Sequence, residues 1–110
     1  MQIAILGGTG DIGEGLAVRF AADTTHPITI GSRDEAKAID RAEAYESRLA
    51  DQGIERDLAG ADNAAAAADA DIVVLAIPPH YVGDTVEALA DEDVLSDQVL
   101  VSPAVGMQGD

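Results

Sequence analysis

The sequence has no cysteine, and its apolar stretches are short. The lack of cysteine excludes a disulfide framework and catalysis by a thiolate. No apolar run approaches the roughly 18 residues that a membrane-spanning helix needs, so we expect no membrane segment. The N-terminus carries no basic residue ahead of its apolar stretch, and we therefore interpret that stretch as a first strand and not as a signal peptide.

Basic residues are scarce, since six Lys and Arg stand against 21 Asp and Glu and the formal net charge is −15. A field of this sign repels phosphate backbones and anionic lipid surfaces, so we expect neither nucleic-acid nor membrane binding. Abundant aspartate with a single lysine and ordinary apolar content is typical of a halophile's solvated surface. The alternative is an ordinary acidic cytosolic protein, and in both cases we expect a cytoplasmic location.

Residues suited to metal binding or nucleophilic catalysis are also few. The sequence has two histidines, His26 and His80, and neither has a second histidine at metal-ligand spacing. We interpret His26 as a turn residue and His80 as a surface residue at the start of a helix. Asp84 could face a crevice, but we interpret it as part of a solvated helix face. The sequence therefore predicts no metal site and no catalytic side chain.

Apolar runs alternate with stretches of helical periodicity along the chain. We predict five strands, at about 2–6, 28–30, 53–58, 71–77 and 98–101, separated by helices at about 11–22, 34–50, 63–69 and 80–90. Asp34 stands where it can cap the second helix. The first helix is predicted from four residues at helical spacing, Ile12, Leu16, Arg19 and Phe20. The alternation implies parallel crossovers, so the predicted fold class is α/β, a Rossmann-type doubly wound parallel sheet in one domain over residues 1–110.

A glycine-rich loop joins the first strand to the first helix. Gly8 permits the tight turn, Gly10 lets a pyrophosphate approach the backbone, and Gly13 lets the helix pack close to the strand. The amides of Thr9, Gly10, Asp11 and Ile12 would point at the pyrophosphate, helped by the positive end of the helix. The alternative is a turn that only connects strand to helix. The spacing of the flanking strands favours a dinucleotide site.

The residues after the second strand distinguish NAD from NADP. An NAD site places Asp or Glu there to bind the ribose hydroxyls, whereas this strand is followed by Ser32 and Arg33. A hydroxyl and a guanidinium suit a 2′-phosphate, which Thr9 and Lys37 could also reach. The alternatives are a helix cap and a surface cation at 32–33, and a solvated surface lysine at 37. We therefore predict NADP as the bound dinucleotide.

These motifs resemble those of a known family. Residues 3–10, 13, 15–17 and 31–33 resemble the NADP-binding half of the archaeal NADPH-dependent coenzyme F-420 reductases, also called reduced-deazaflavin:NADP oxidoreductases. The resemblance continues through 76–78, 84–85 and 101–103, so it covers nearly the whole chain. It implies hydride transfer between NADP(H) and the deazaflavin coenzyme F-420.

The resemblance also implies which residues contact the two cofactors. The 2′-phosphate would lie on four residues, Thr9, Ser32, Arg33 and Lys37. The corner at Ile77 and Pro78 would line the nicotinamide side. The segment 103–107 would border the deazaflavin, with Pro103 and Val105 as its contact residues.

The family has a smaller C-terminal domain that completes both pockets, and the given sequence stops soon after the fifth predicted strand. We therefore expect the second domain to be missing. Two alternatives stay open, a non-catalytic NADP(H)-sensing module and an NADP-dependent reductase of another small substrate. Without a second domain the apolar ends of strands four and five would be partly exposed, which favours a homodimer.

Overall fold

A computed structural model describes residues 1–7, 11–77, 79–93, 95 and 97–101, with the backbone alone described at 11 and 79–82. Five strands alternate with four helices in the part described. The strands are β1 (Ile3–Leu6), β2 (Ile28–Ser32), β3 (Leu58–Asp62), β4 (Ile72–Leu75) and β5 (Val99–Val101). The helices are α1 (Asp11–Asp23), α2 (Glu35–Asp51), α3 (Asn63–Ala68) and α4 (Pro79–Asp91).

The strands form one parallel sheet in the order β3-β2-β1-β4-β5. The chain therefore adds β2 and β3 on one side of β1 and then crosses to the other side to add β4 and β5. This reversal between β1 and β4 is the topological switch point of a doubly wound sheet. The predicted α/β fold class and the predicted number of strands are confirmed.

Helices cover both faces of the sheet, and each face has its own hydrophobic core. On β1, Ile3 and Ile5 pack into the core beneath α1 and α2, whereas Ala4 and Leu6 pack into the core beneath α3. Adjacent residues of a strand point to opposite faces, so a strand covered on both sides must be apolar throughout. This explains why the first strand reads as a continuous apolar run. Among the residues described, no helix combines the length and apolar character needed to cross a membrane.

The start of α2 confirms the predicted cap. The Asp34 side chain accepts hydrogen bonds from the backbone N–H groups of Ala36, at 3.0 Å, and Lys37, at 3.4 Å. These bonds satisfy two of the amides that the first turn of a helix leaves without partners. The cap fixes the direction in which the chain leaves β2, and it therefore fixes where Arg33 and Lys37 lie.

The predicted third strand at 53–58 is wrong, because β3 runs from Leu58 to Asp62. Gly53, with φ +79°, ends α2, and Ile54 turns back to pack against the core. The true strand contains small residues, because α2 crosses it at close range. A Cβ on Gly60 would lie 2.5 Å from the backbone nitrogen of Ile39. Close helix packing therefore requires residues that strand propensity disfavours.

The predicted first helix is confirmed as α1. The residues of α1 that are buried against the sheet are Gly13, Ala17 and Ala21. Leu16 and Phe20 pack at the margin of the core, while Arg19 and Ile12 are exposed. A helix lying close over a sheet has small residues along its line of contact and larger ones beside it. The close packing predicted for Gly13 is consistent with this arrangement.

Strand β5 lies at the edge of the sheet with three apolar side chains exposed. Val99, Leu100 and Val101 are 58%, 41% and 42% exposed. The expected exposure is therefore found at the fifth strand. Val73, Val74 and Leu75 of β4 are buried, while Ile77, the last residue of the predicted fourth strand, is partly exposed.

Candidate functional site

The carboxyl ends of the strands open onto a cavity of about 920 Å³. It adjoins the end of β1 at Gly7, the end of β2 at Ser32 and the end of β4 at Ile77. The end of β3, the start of α3 and one side of α4 complete its wall. The lining residues are Gly7, Ser32, Arg33, Lys37, Asp62, Asn63, Ala64, Ile77, Asp84, Thr85, Ala88, Leu89 and Glu92. Doubly wound sheets bind their ligands in this position, outside the carboxyl ends of the strands at the switch point.

Gly7 shapes the floor of the cavity, and the sequence reasoning missed it. It follows β1 directly, its φ is +74°, and its N–H donates to the carbonyl oxygen of Gly31 at 3.0 Å. A Cβ at this position would lie 2.4 Å from Ile77 Cγ2 and 2.8 Å from the carbonyl oxygen of Ala76. Both the backbone conformation and the neighbours therefore require glycine. The sequence contains one indication of this role, which is that Gly7 is the first residue after an apolar strand.

The predicted pyrophosphate loop is described in part. Gly8, Thr9 and Gly10 lie outside the described residues, and Asp11 is described as the first backbone position of α1. Ile12 is 39% exposed on the first turn of α1, and Gly13 is buried beneath that helix. Pro78, Pro103 and Val105 of the predicted cofactor contacts also lie outside the described residues.

The structure brings together the three residues that were predicted at the end of β2 and the start of α2. Ser32 is the last residue of β2 and is 7% exposed, and its Oγ accepts a hydrogen bond from the N–H of Asp34 at 3.3 Å. Arg33 and Lys37 are exposed and line the same cavity. This arrangement places two cationic groups and one hydroxyl at one end of the cavity.

The remaining cations have structural partners. Arg19, Arg41 and Arg48 pair with Asp23, Asp40 and Glu14. Arg56 donates to the backbone carbonyls of Ala21, Thr24 and His26, beyond the end of α1. Within the described ranges, Arg33 and Lys37 are the two basic side chains with no ion pair and no hydrogen bond. Their charge is therefore available to an anionic ligand.

The wall of the cavity at α4 is acidic, because Asp84 lies on α4 and Glu92 directly follows that helix. Asp62 also lines the cavity, but it is paired with Ser32 in the register of β3 with β2, and its Oδ1 caps α3 by accepting from the N–H of Ala65 at 2.8 Å. The interpretation of Asp84 as part of a solvated helix face was incomplete, because Asp84 is exposed and also lines the cavity. The cavity thus has a cationic end at Arg33 and Lys37, suited to phosphate, with Asp62 beside Ser32 at the same end. The acidic wall at α4 is suited to hydroxyl or amino donors.

Two other regions are less suited to ligand binding. A second, shallower cavity of about 540 Å³ lies near the end of α2 around Glu46, Ser47 and Arg56, but the guanidinium of Arg56 is already occupied by backbone carbonyls. His26 lies in the loop between α1 and β2, away from the main cavity. Within the residues described, no group of three or more metal-ligating side chains is found.

Known proteins of similar sequence indicate the family. Residues 2–106 match the model of a family described as "NADP oxidoreductase coenzyme F420-dependent". An F420-dependent NADP reductase of Methanocaldococcus jannaschii is 43% identical over 105 residues, which are 96% of this chain and 45% of that protein. A protein of the same name from Methanothermobacter thermautotrophicus is 40% identical over 107 residues, covering 96% of this chain and 43% of its own.

Solved structures of similar fold include a malate dehydrogenase of Plasmodium falciparum in complex with NADH. It superposes with a TM-score of 0.72 at 18% identity, over 93% of this chain and 35% of its own. That likeness confirms the Rossmann-type fold and carries no argument about substrate. The chain spans less than half the length of the curated relatives described above. Because the family model matches residues 2–106, the chain belongs to the family of coenzyme F420-dependent NADP oxidoreductases.

Proposed function

We propose that this chain forms the NADP(H)-binding part of an oxidoreductase that transfers a hydride between NADP(H) and the deazaflavin coenzyme F420. Family membership supports this proposal, as do two relatives that are named F420-dependent NADP reductases. The observation that carries it is the cationic end of the cavity, which Arg33 and Lys37 line together with Ser32. Neither cation has an ion pair or hydrogen bond among the described residues.

The 2′-phosphate of NADP fits this cationic end. It carries negative charge and accepts hydrogen bonds, which matches a guanidinium, an ammonium and a hydroxyl. A carboxylate at the end of β2 would repel that phosphate, and Ser32 and Arg33 stand there instead. We therefore assign the adenosine 2′-phosphate to Ser32, Arg33 and Lys37, with Thr9 as a further contact.

The remaining residues would position the dinucleotide along the switch point. The backbone amides of residues 9–12 would hold the pyrophosphate at the positive end of α1. Ile77, and with it Pro78, would give the nicotinamide an apolar wall. Pro103 and Val105 would border the deazaflavin.

The reactive carbons belong to the two cofactors, which supply the hydride chemistry themselves. The chain's own residues bind and orient the rings and exclude water from between them. This division of work is consistent with a site that needs neither a metal nor a nucleophilic side chain.

Comparing NADPH with NADH tests the binding part of the proposal. Calorimetric titration should show NADPH binding at least tenfold more tightly, because hydrogen bonds to a charged group contribute about 1.5–3 kcal/mol. Equal affinities for the two nucleotides would contradict the assignment of the 2′-phosphate. Oxidation of reduced F420 by NADP in the presence of the chain would support the hydride-transfer part. Binding of NADPH without this reaction would show that the chain binds the nucleotide and needs the rest of an oxidoreductase for catalysis.

We also propose that the protein works in the cytoplasm of a salt-rich cell. The support is its formal net charge of −15 with a single lysine. A homodimer through the edge of the sheet is a further proposal, supported by the exposed apolar residues of β5, Val99–Val101.

Salt should stabilise the fold if the protein works in a salt-rich cell. Screening weakens the repulsion among the excess acidic groups, so molar sodium chloride should raise the melting temperature by roughly 5 °C or more over dilute buffer, as expected for about 1 kcal/mol in a domain of this size. Thermal unfolding followed by circular dichroism measures this shift. Sucrose serves as the control, because it favours burial without screening charge. A melting temperature independent of salt would count against the halophilic interpretation.

A further inference from the structure

Asp62 places a negative charge beside the residues that are assigned to the 2′-phosphate. It is the last residue of β3, and in the register of the sheet it is paired with Ser32, the last residue of β2. Neighbouring strands lie about 4.8 Å apart, so the two residues stand side by side at the carboxyl edge of the sheet. Asp62 also lines the same cavity as Arg33 and Lys37. The cationic end of the cavity therefore contains a carboxylate as well as two cations.

The carboxylate of Asp62 is held in place and keeps its charge. Its Oδ1 accepts a hydrogen bond from the backbone N–H of Ala65 at 2.8 Å and so caps α3. This bond orients the side chain, but its donor is an uncharged amide. In the part of the chain that the structure describes, no basic side chain forms an ion pair with Asp62. Its negative charge therefore has a defined position and is not neutralised by a cation.

A carboxylate at this position opposes a phosphate. An ionised carboxylate has acceptors and no donor, so it cannot form a hydrogen bond with a phosphate oxygen that carries no proton. Two negative charges repel, and the repulsion grows as the distance between them falls. Arg33 and Lys37 attract the 2′-phosphate from the same end of the cavity, so the net attraction is that of two cations reduced by one carboxylate. NADH has a hydroxyl in place of this phosphate and does not meet the repulsion.

We propose that Asp62 limits the affinity of the chain for NADP(H) by repelling the 2′-phosphate. This inference rests on the proposed function, because it takes the 2′-phosphate to lie at Ser32, Arg33 and Lys37. Asp62 is then a specificity-determining residue, which lowers the preference for NADPH over NADH below the value that the other three residues alone would give. Differences in affinity at one site are mostly differences in the dissociation rate, so the carboxylate also speeds the release of the nucleotide. An oxidoreductase that carries a hydride between two dissociable cofactors must release its nucleotide in every turnover.

Asp62→Asn removes the charge while keeping the cap of α3. Asparagine caps helices as well as aspartate does, because its side-chain oxygen can accept the same backbone hydrogen bond. The variant should bind NADPH about two- to fivefold more tightly than the wild-type chain, the range expected for interactions between exposed charges, and its affinity for NADH should change little. Molar sodium chloride should reduce the gain, because salt screens the repulsion between exposed charges. Calorimetric titration of both nucleotides in dilute buffer and in molar salt measures these effects.

Two further variants support the interpretation of this experiment. Asp62→Ser also keeps a capping oxygen and lacks the charge, so it should show the same gain in NADPH affinity. Glu43→Gln removes one negative charge from the exposed surface of α2, outside the cavity, and should leave the NADPH affinity nearly unchanged. An equal gain in Glu43→Gln would overturn the inference, because the overall field of the protein would then account for the effect.

The outcomes separate this inference from the function on which it depends. Weaker binding of both nucleotides by the two Asp62 variants would overturn the inference, because Asp62 would then accept a hydrogen bond from the ribose. A wild-type chain that prefers NADPH to NADH, with no gain in either Asp62 variant, would leave the proposed function standing and remove the role of Asp62. Equal affinities of the wild-type chain for NADPH and NADH, with no gain in the variants, would remove both.

Discussion

Replacing Arg33 with alanine should weaken NADPH binding by roughly 1.5–3 kcal/mol, about 10- to 150-fold in the dissociation constant. The guanidinium has no ion pair or hydrogen bond to another described residue, so its charge and its donors are available to the ligand. NADH carries a hydroxyl in place of the 2′-phosphate, and its affinity should change little. Calorimetric titration of both nucleotides against wild type and Arg33→Ala measures the difference.

Arg41→Ala is the matched control for this experiment. Arg41 lies on α2, pairs with Asp40 at 3.2 Å and does not line the cavity. Its removal makes the same change in net charge as the removal of Arg33, so it reports any general effect of a more negative protein on an anionic ligand. Similar losses of NADPH affinity in the two variants would mean that the overall field, and not the contact at Arg33, controls binding.

Arg33→Lys distinguishes charge from geometry at the same position. A guanidinium can donate two parallel hydrogen bonds to a phosphate, whereas an ammonium acts as a compact point charge. We expect the lysine variant to recover part of the NADPH affinity lost in the alanine variant. Full recovery would indicate that charge alone is needed at position 33.

The cationic end of the cavity was predictable because its determinants are close together in the sequence. Ser32, Arg33 and Lys37 follow one strand, and the cap at Asp34 turns the chain so that all three face the same cavity. The order of elements was predictable for a similar reason, since apolar runs and helical periodicity are local patterns. Long-range packing decides which parallel strands become neighbours, and the right-handed crossover rule limits the alternatives.

The parts that the sequence reasoning missed depend on contacts between distant residues. Residues 58–62 form a strand by pairing with β2, and the close approach of α2 requires glycine at position 60. A scale of strand propensity disfavours glycine and does not represent this packing. The acidic wall of the cavity depends on how α4 lies across the sheet, which brings Asp84 and Glu92 to the site.

Of the variants considered, Gly7→Ala should destabilise the fold most, lowering the free energy of unfolding by roughly 2–5 kcal/mol. A φ of +74° costs an alanine about 1–2 kcal/mol, because a Cβ in the left-handed region approaches the following carbonyl oxygen. The new methyl group would also lie 2.8 Å from the carbonyl oxygen of Ala76, and backbone cannot move aside as cheaply as the end of a side chain. Crowding of this kind adds about 1–3 kcal/mol. Urea denaturation followed by circular dichroism measures the loss.

Gly53→Ala separates the two causes. Gly53 has nearly the same φ, +79°, but nothing lies within 4 Å of the position that its Cβ would take. Its substitution should therefore cost the conformational part alone, about 1–2 kcal/mol. NADPH affinity gives a second readout, because the clash at Gly7 would force the ends of β1 and β4 apart at the switch point, whereas Gly53 lies after α2, away from the cavity. Equal losses of stability in the two variants, with NADPH affinity unchanged in Gly7→Ala, would show that the contact between Gly7 and Ala76 does not shape the site.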